Sequence, residues 1–145
     1  MAPSAYTFRL HAEGRTKRRA IGFLLGPELN AASFFDGLQG TPEREFRDRF
    51  DMWLGNQDFK KWFHGWDVPE FRECFEFKRQ SERLFGFKCH PSPKTNPRLQ
   101  LVALAYYDEK EGEASDKTIL RRLNRLRTDI AVTNAIRTKY PEYGE

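Results

Sequence analysis

Cysteine and histidine are scarce in this chain, with two cysteines and three histidines among 145 residues. Two cysteines do not make a disulfide framework. His11, His64 and His90 are scattered, without the paired spacing that a zinc site needs. Long apolar runs are absent as well, and no stretch approaches the roughly 20 residues of a membrane span. With no signal peptide ahead of Tyr6, a cytoplasmic protein with reduced thiols is expected. There is no phosphate loop, no dinucleotide fingerprint, no internal repeat and no low-complexity tract. Ser33, Ser81, Ser92 and Ser115 lie in no nucleophile-elbow context. The expectation is a protein without a metal or an organic cofactor.

What is present is charge and aromatic mass. Hydrophobic residues make up 39% and charged residues 32% of the sequence, which excludes a disordered chain. A length of 145 residues suggests one domain, 1–145, large enough to bury a core. The net charge of +4 permits a polyanionic partner without demanding one.

The rest of the chain is organised around residues 69–107, which read as three successive antiparallel strands. Residues 69–78 alternate, with Phe71, Phe75 and Phe77 on one face and Arg72, Glu76 and Lys78 on the other. Residues 79–81 make a polar turn and residues 83–89 return. A proline-rich loop over 90–97 interrupts pairing, because proline cannot donate to a ladder. Residues 99–107 are apolar on both faces, as in a central strand. If Phe75 and Phe85 share a face, this register puts Cys74 and Cys89 on opposite faces and leaves them unlinked.

Ahead of these strands, residues 6–10 and 18–25 suggest a hairpin turning at His11 to Gly14. A short helix is expected over 30–38, with Phe34, Phe35 and Leu38 as its apolar stripe. Thr41 and Pro42 then signal a second helix, capped by the threonine. Phe46, Phe50, Trp53 and Leu54 share one of its faces. The aromatics of residues 60–66 fit either a core under the sheet or base stacking, with the core favoured. An acidic loop over 108–114 precedes a final helix, capped by Ser115 or Asp116 and running to about Thr138. Ile119, Leu123, Leu126 and Ile130 would be its inward stripe. The pattern is α+β, a central antiparallel sheet with helices on one face and a charged face left free.

The candidate functional residues lie near that free face. Arg72, Lys78, Arg79, Arg83, Lys88, Tyr106, Tyr107 and Lys110 are either a solvated strand surface or the elements of phosphate chemistry. Cleavage of RNA by its own 2′-hydroxyl needs a proton acceptor, a proton donor and cations around the phosphate. Arginine suits the last role because its fork binds phosphate through two bonds. On the final helix, Arg121, Arg122, Arg125 and Arg127 form either a solvated face or a track for a nucleic-acid backbone.

Residues 31–38 and 42–54 resemble the two-helix segment of RelE/HigB-type toxins, in particular their phage-derived branch. The run Trp66 to Arg72 is similar to that family's entry to its sheet. Residues 82–87 resemble its Tyr-Arg-Ile-Phe-Tyr strand, and 99–107 its hydrophobic third strand. The resemblance spans about residues 31–127. It implies a RelE-like fold with two helices packed on one face of the sheet and a C-terminal helix. It also implies a type II toxin paired with a cognate antitoxin protein and cutting mRNA on the ribosome without metal. By position, Arg83 would be the main phosphate-binding arginine, with Arg72 beside it. Tyr106 or Tyr107, with Lys110, would stand at the catalytic end of the third strand. Lys78, Lys88, Arg121, Arg122 and Arg125 would bind RNA. Three features depart from the family: the acidic loop, the long proline loop, and the opposite faces of Arg72 and Arg83. They leave open a non-catalytic protein of this fold that binds a protein partner or nucleic acid.

Overall fold

The computed structural model describes residues 5–16, 18–91, 97–110 and 117–143. Strands β1 (Thr7–Glu13) and β2 (Arg19–Leu25) form the N-terminal hairpin. Helices α1 (Ala31–Asp36) and α2 (Thr41–Leu54) follow, then the short strand β3 (Phe63–Gly65). Strands β4 (Cys74–Arg79), β5 (Glu82–Cys89) and β6 (Gln100–Glu109) make an antiparallel meander. Helices α3 (Lys117–Thr128) and α4 (Ile130–Arg137) close the chain. The six strands form one sheet in the order β1-β2-β6-β5-β4-β3. Pairing is antiparallel except between β2 and β6, so the sheet is mixed, where an antiparallel sheet was expected. The parallel pair arises because α1, α2 and three strands intervene before the chain returns beside β2.

Helices cover both faces of the sheet, which corrects the expectation of a free face. On one face, Phe46, Phe50 and Trp53 of α2 pack with Phe75 and Phe77 of β4 and with Ile21 and Phe23 of β2. On the other, Ile119, Leu120 and Leu123 of α3 and Val132 and Ile136 of α4 pack with Phe85, Phe87, Leu101 and Ala103. The final helix is two helices, not one. Asp129 leaves the helical conformation with φ −77° and ψ 124°, and its carboxylate accepts the Ala131 N–H at 2.9 Å as the cap of α4. Past this break the stripe loses phase, and Ile130, expected to face inward, is 66% exposed. The Ser115 or Asp116 cap expected for α3, the acids from Glu111 to Glu113, and most of the proline loop lie outside the described residues.

Three local expectations change. Pro69–Phe71 is a single 3₁₀ turn rather than the start of a strand, and β4 begins at Cys74. Pro69 fixes its own φ and offers no N–H to a ladder, while Phe71 packs under α3 on the face opposite Phe75 and Phe77. Strand β1 runs on through His11 to Glu13 with its pairing shifted between Leu10 and Ala12, where a turn was expected. Gly40, not Thr41, is the residue before α2, held at φ +67° where glycine alone is unstrained. Cys74 and Cys89 are free and buried, but they share the α3–α4 face instead of dividing between two. Phe75 and Phe85 do not share a face, so the premise of the opposite assignment fails.

A bulge in the β5–β6 ladder completes the frame. Phe85 faces Tyr106 while Gly86 faces Leu104, leaving Ala105 as the extra residue. The backbones approach closely there, and a Cβ on Gly86 would sit 2.5 Å from the Ala103 carbonyl oxygen.

Candidate nucleic-acid cleft

A cleft of about 960 Å³ is bounded by the β3–β4 edge of the sheet. Five of its lining residues are cationic (Arg19, Lys60, Arg72, Lys78 and Lys88) against the two carboxylates Asp58 and Asp67. Of its rings, Phe59 is exposed and Trp66 half-buried, whereas Trp53, Phe63 and Phe75 belong to the core beneath. Lys60, Arg72, Lys78 and Lys88 make no ion pair among the described residues. This combination of rings and unneutralised cations suits a single-stranded polyanion, whose bases stack and whose phosphates need countercharge.

Each wall has a local cause. Because β3 is only three residues long, the chain on either side of it leaves the sheet and opens the cleft. His64 sits at the centre of β3 opposite Glu76 of β4. The Glu76 carboxylate is 1% exposed, and its Oε1 lies 2.7 Å from His64 Nε2. That approach is short but not aligned for a hydrogen bond, and neither Glu76 oxygen has a hydrogen-bond partner among the described residues. We read it as an electrostatic contact, because a carboxylate buried this fully is stable only beside positive charge or with a proton of its own. His64 Nδ1 lies 2.7 Å from the Gly65 carbonyl oxygen, which can only accept, so Nδ1 carries a proton. With both ring nitrogens so placed, His64 tethers the cleft wall to the buried carboxylate.

Lys78 stands where the cleft meets the α3-facing side of the sheet. Its N–H donates to the Trp62 carbonyl at 2.7 Å, and its own carbonyl accepts from Arg49 Nε at 2.6 Å. Arg49 is itself buried, with its guanidinium 4.3 Å over the Trp62 ring. The backbone beneath Lys78 is thus fixed from both sides. Burial lowers the pKa of the Lys78 amine, nearby Glu76 opposes this, and Arg83 and Lys110 lower it further.

The predicted residues fall into three places. Arg72, Lys78 and Lys88 line the cleft. Arg83 pairs across the ladder with Lys78 and with Asp108, on the face of Phe85 and Phe87. Its Nη1 donates to the carbonyls of Gln80 and Glu82, which ties the guanidinium back to its own hairpin. Tyr106 lies on that same face, packed against the α3–α4 core. Burial raises its pKa, and Arg122 and Arg125 of α3 partly oppose the shift. Lys110 closes the hairpin end through its N–H to the Ser81 carbonyl at 2.8 Å. Arg121 is exposed on α3. Tyr107 is set apart on the opposite face, stacked on Phe34 at 3.6 Å with its hydroxyl donating to Glu109 at 2.9 Å. Burial and the Glu109 hydrogen bond push its pKa up to about 12.

Sequence reasoning missed Arg19, Lys60 and the His64–Glu76 contact as parts of one site. The interleaved lysines and aromatics of residues 60–66 were the available signal. Arg19 carries none, because only strand pairing brings it to the cleft. Comparison of the chain with protein-family models, curated proteins and solved structures returns no match.

Proposed function

We propose that the cleft binds single-stranded RNA and that the protein is a metal-independent endoribonuclease. In the setting that the RelE/HigB resemblance implies, it is the toxin of a type II pair. It cuts mRNA on the ribosome in the cytoplasm and is held in check by a cognate antitoxin protein. The observation that supports this reading is the cleft itself, where five cations face two carboxylates beside the accessible rings of Phe59 and Trp66. In the reaction, the 2′-oxygen attacks the adjacent phosphorus and the bond to the 5′-oxygen breaks. A 2′,3′-cyclic phosphate and a free 5′-hydroxyl result. One group must take the 2′-hydroxyl proton, another must return a proton to the 5′-oxygen, and cations must stabilise the phosphorane. Lys78 has the environment for a proton carrier, since burial among other cations favours its neutral form. Arg72 and Lys88 line the same cleft and supply the cations.

The test is induction of the protein in growing cells, with 5′-end mapping of ribosome-bound mRNA. Growth arrest with new mRNA ends is expected from the wild type, and loss of both from Lys78→Ala at unchanged melting temperature. Harmless expression with intact mRNA overturns the nuclease. A second reading, non-catalytic RNA binding in the same cleft, is favoured by the carbonyl-bound state of Arg83. It predicts RNA binding in vitro with no cleavage.

A further inference from the structure

Beside the cleft lies a second concavity of about 340 Å³, lined by Arg18, Arg19, Asn56, His90, Arg98 and Gln100. Among the described residues its lining has three arginines and no carboxylate. Arg19 and Gln100 line both concavities, so the two share a wall. The parallel pairing of β2 with β6 is the cause. It sets Arg19 opposite Gln100 and brings the starts of both strands to one end of the sheet. Arg18 and Arg98, distant in sequence, thereby converge, and the Gln100 N–H donates to the Arg18 carbonyl at 2.8 Å.

The three arginines are not equivalent. Arg19 is anchored, with its guanidinium 4.8 Å over the Trp53 ring and its Nη1 donating to the Trp53 carbonyl at 2.9 Å. Arg18 and Arg98 are exposed, and neither makes an ion pair among the described residues. Like charges gathered without a counter-carboxylate repel one another, and a chain of phosphates relieves that repulsion. The phenyl and indole rings line the first concavity, while His90 is the ring in the lining of the second. Base stacking therefore belongs mainly to the cleft, and backbone contact to its extension.

We propose that this extension is a second subsite for the phosphate backbone of single-stranded RNA. The strand leaves the aromatic cleft over Arg19 and runs on to Arg18 and Arg98. The inference rests on the reading of the cleft as an RNA site, and it adds the length of strand engaged and its path.

The experiment compares fluorescently labelled oligouridylates of about 4 and about 12 nucleotides, lengths that bracket single-stranded sites of this kind. The wild type should bind the longer strand more tightly and with the steeper salt dependence. In the double variant Arg18→Ala/Arg98→Ala, affinity for the longer strand should fall roughly tenfold. Its log–log salt slope should flatten by about 1.4, two contacts fewer, while the shorter strand is unaffected. Charge reversal with Arg18→Glu/Arg98→Glu should deepen the loss for the longer strand alone, at unchanged melting temperature. Equal loss for both lengths, or no loss for either, overturns the subsite while leaving the cleft standing. Failure of the wild type to bind either length overturns the cleft reading and the subsite with it.

Discussion

The two faces of the sheet are built from different material. The face under α2 is aromatic, with Phe23, Phe35, Phe46, Phe50, Trp53, Phe63, Phe75 and Phe77 in one cluster. The face under α3 and α4 is mostly aliphatic and small, with Leu101, Ala103, Ala105, Leu120, Leu123 and Ile136, and it also holds both cysteines. Most rings of the first face meet edge-on or tilted, as Phe50 does Phe77 at 4.8 Å and 81°, while Phe34 and Tyr107 stack. Such contacts add specific geometry to apolar burial. The second face fills its volume with branched side chains and leaves polar groups at one end, among them Tyr106 with Arg122 and Arg125 nearby. The cleft draws on both faces, with Trp53, Phe63 and Phe75 from the aromatic face and Lys78 from the other.

Removing one large side chain from each face tests the contrast most severely. Phe50→Ala should cost about 3–5 kcal/mol and Leu123→Ala about 2–5 kcal/mol in denaturant unfolding, since both positions are buried. Equal midpoints for Phe50→Ala and wild type would deny the aromatic face its structural role.

The next effect is local to the cleft edge. His64→Ala removes the ring that lies 2.7 Å from the buried Glu76 carboxylate. A loss of about 1–3 kcal/mol is expected, and Glu76→Gln added to it should recover most of that loss. A double-mutant cycle with zero coupling would show that the 2.7 Å contact contributes nothing.

His11 and the two cysteines should also act at opposite ends of the pH scale. His11 sits among the rings of Phe23, Phe35 and Phe50, at 5.4 to 5.8 Å. Burial, then Arg47 and Arg9, lower its pKa from 6.5. The folded state therefore favours the neutral ring, and its contribution is present above about pH 6.5 and lost as pH falls through the lowered value. On the other face, burial pushes Cys74 up to about 11 and Cys89 up to about 12, from 9.0. Their contribution is complete below pH 9.0 and lost as pH rises through about 11 and 12. Burial raises Tyr140 and Tyr143 in the same direction. His11→Leu should flatten the acid limb and Cys89→Ala part of the alkaline limb in stability measured against pH. A swap of these two effects would refute the face assignments.

The smallest effects lie at the α3–α4 break. Asp129→Ala should cost about 1 kcal/mol through the lost cap. Ile130→Lys should change stability by no more than about 0.5 kcal/mol, because the side chain is 66% exposed. A larger loss at Ile130 would restore the single continuous helix.

The aromatic face was legible in the sequence because its signals are local. Phe46, Phe50 and Trp53 recur at helical spacing, and Phe75 and Phe77 alternate along a strand. The site was legible only in fragments. Arg72, Lys78 and Lys88 were named without a reason to share a cleft, and Arg19 was not named at all.

Local periodicity, set by backbone sterics between near neighbours, determined the antiparallel meander, the helix ending at Leu54 and the buried stripe of Ile119, Leu123 and Leu126. Where a strand begins and where a bulge falls depend on partners distant in sequence. A one-residue change reverses every face downstream. Tertiary pairing alone therefore decided that Phe71 turns under α3, that Cys74 and Cys89 share a core, and that α3 and α4 cover the face expected to be free. It also decided that β2 lies parallel to β6, which carries Arg18 and Arg19 to Arg98 and Gln100 and so gathers the arginines of the second concavity.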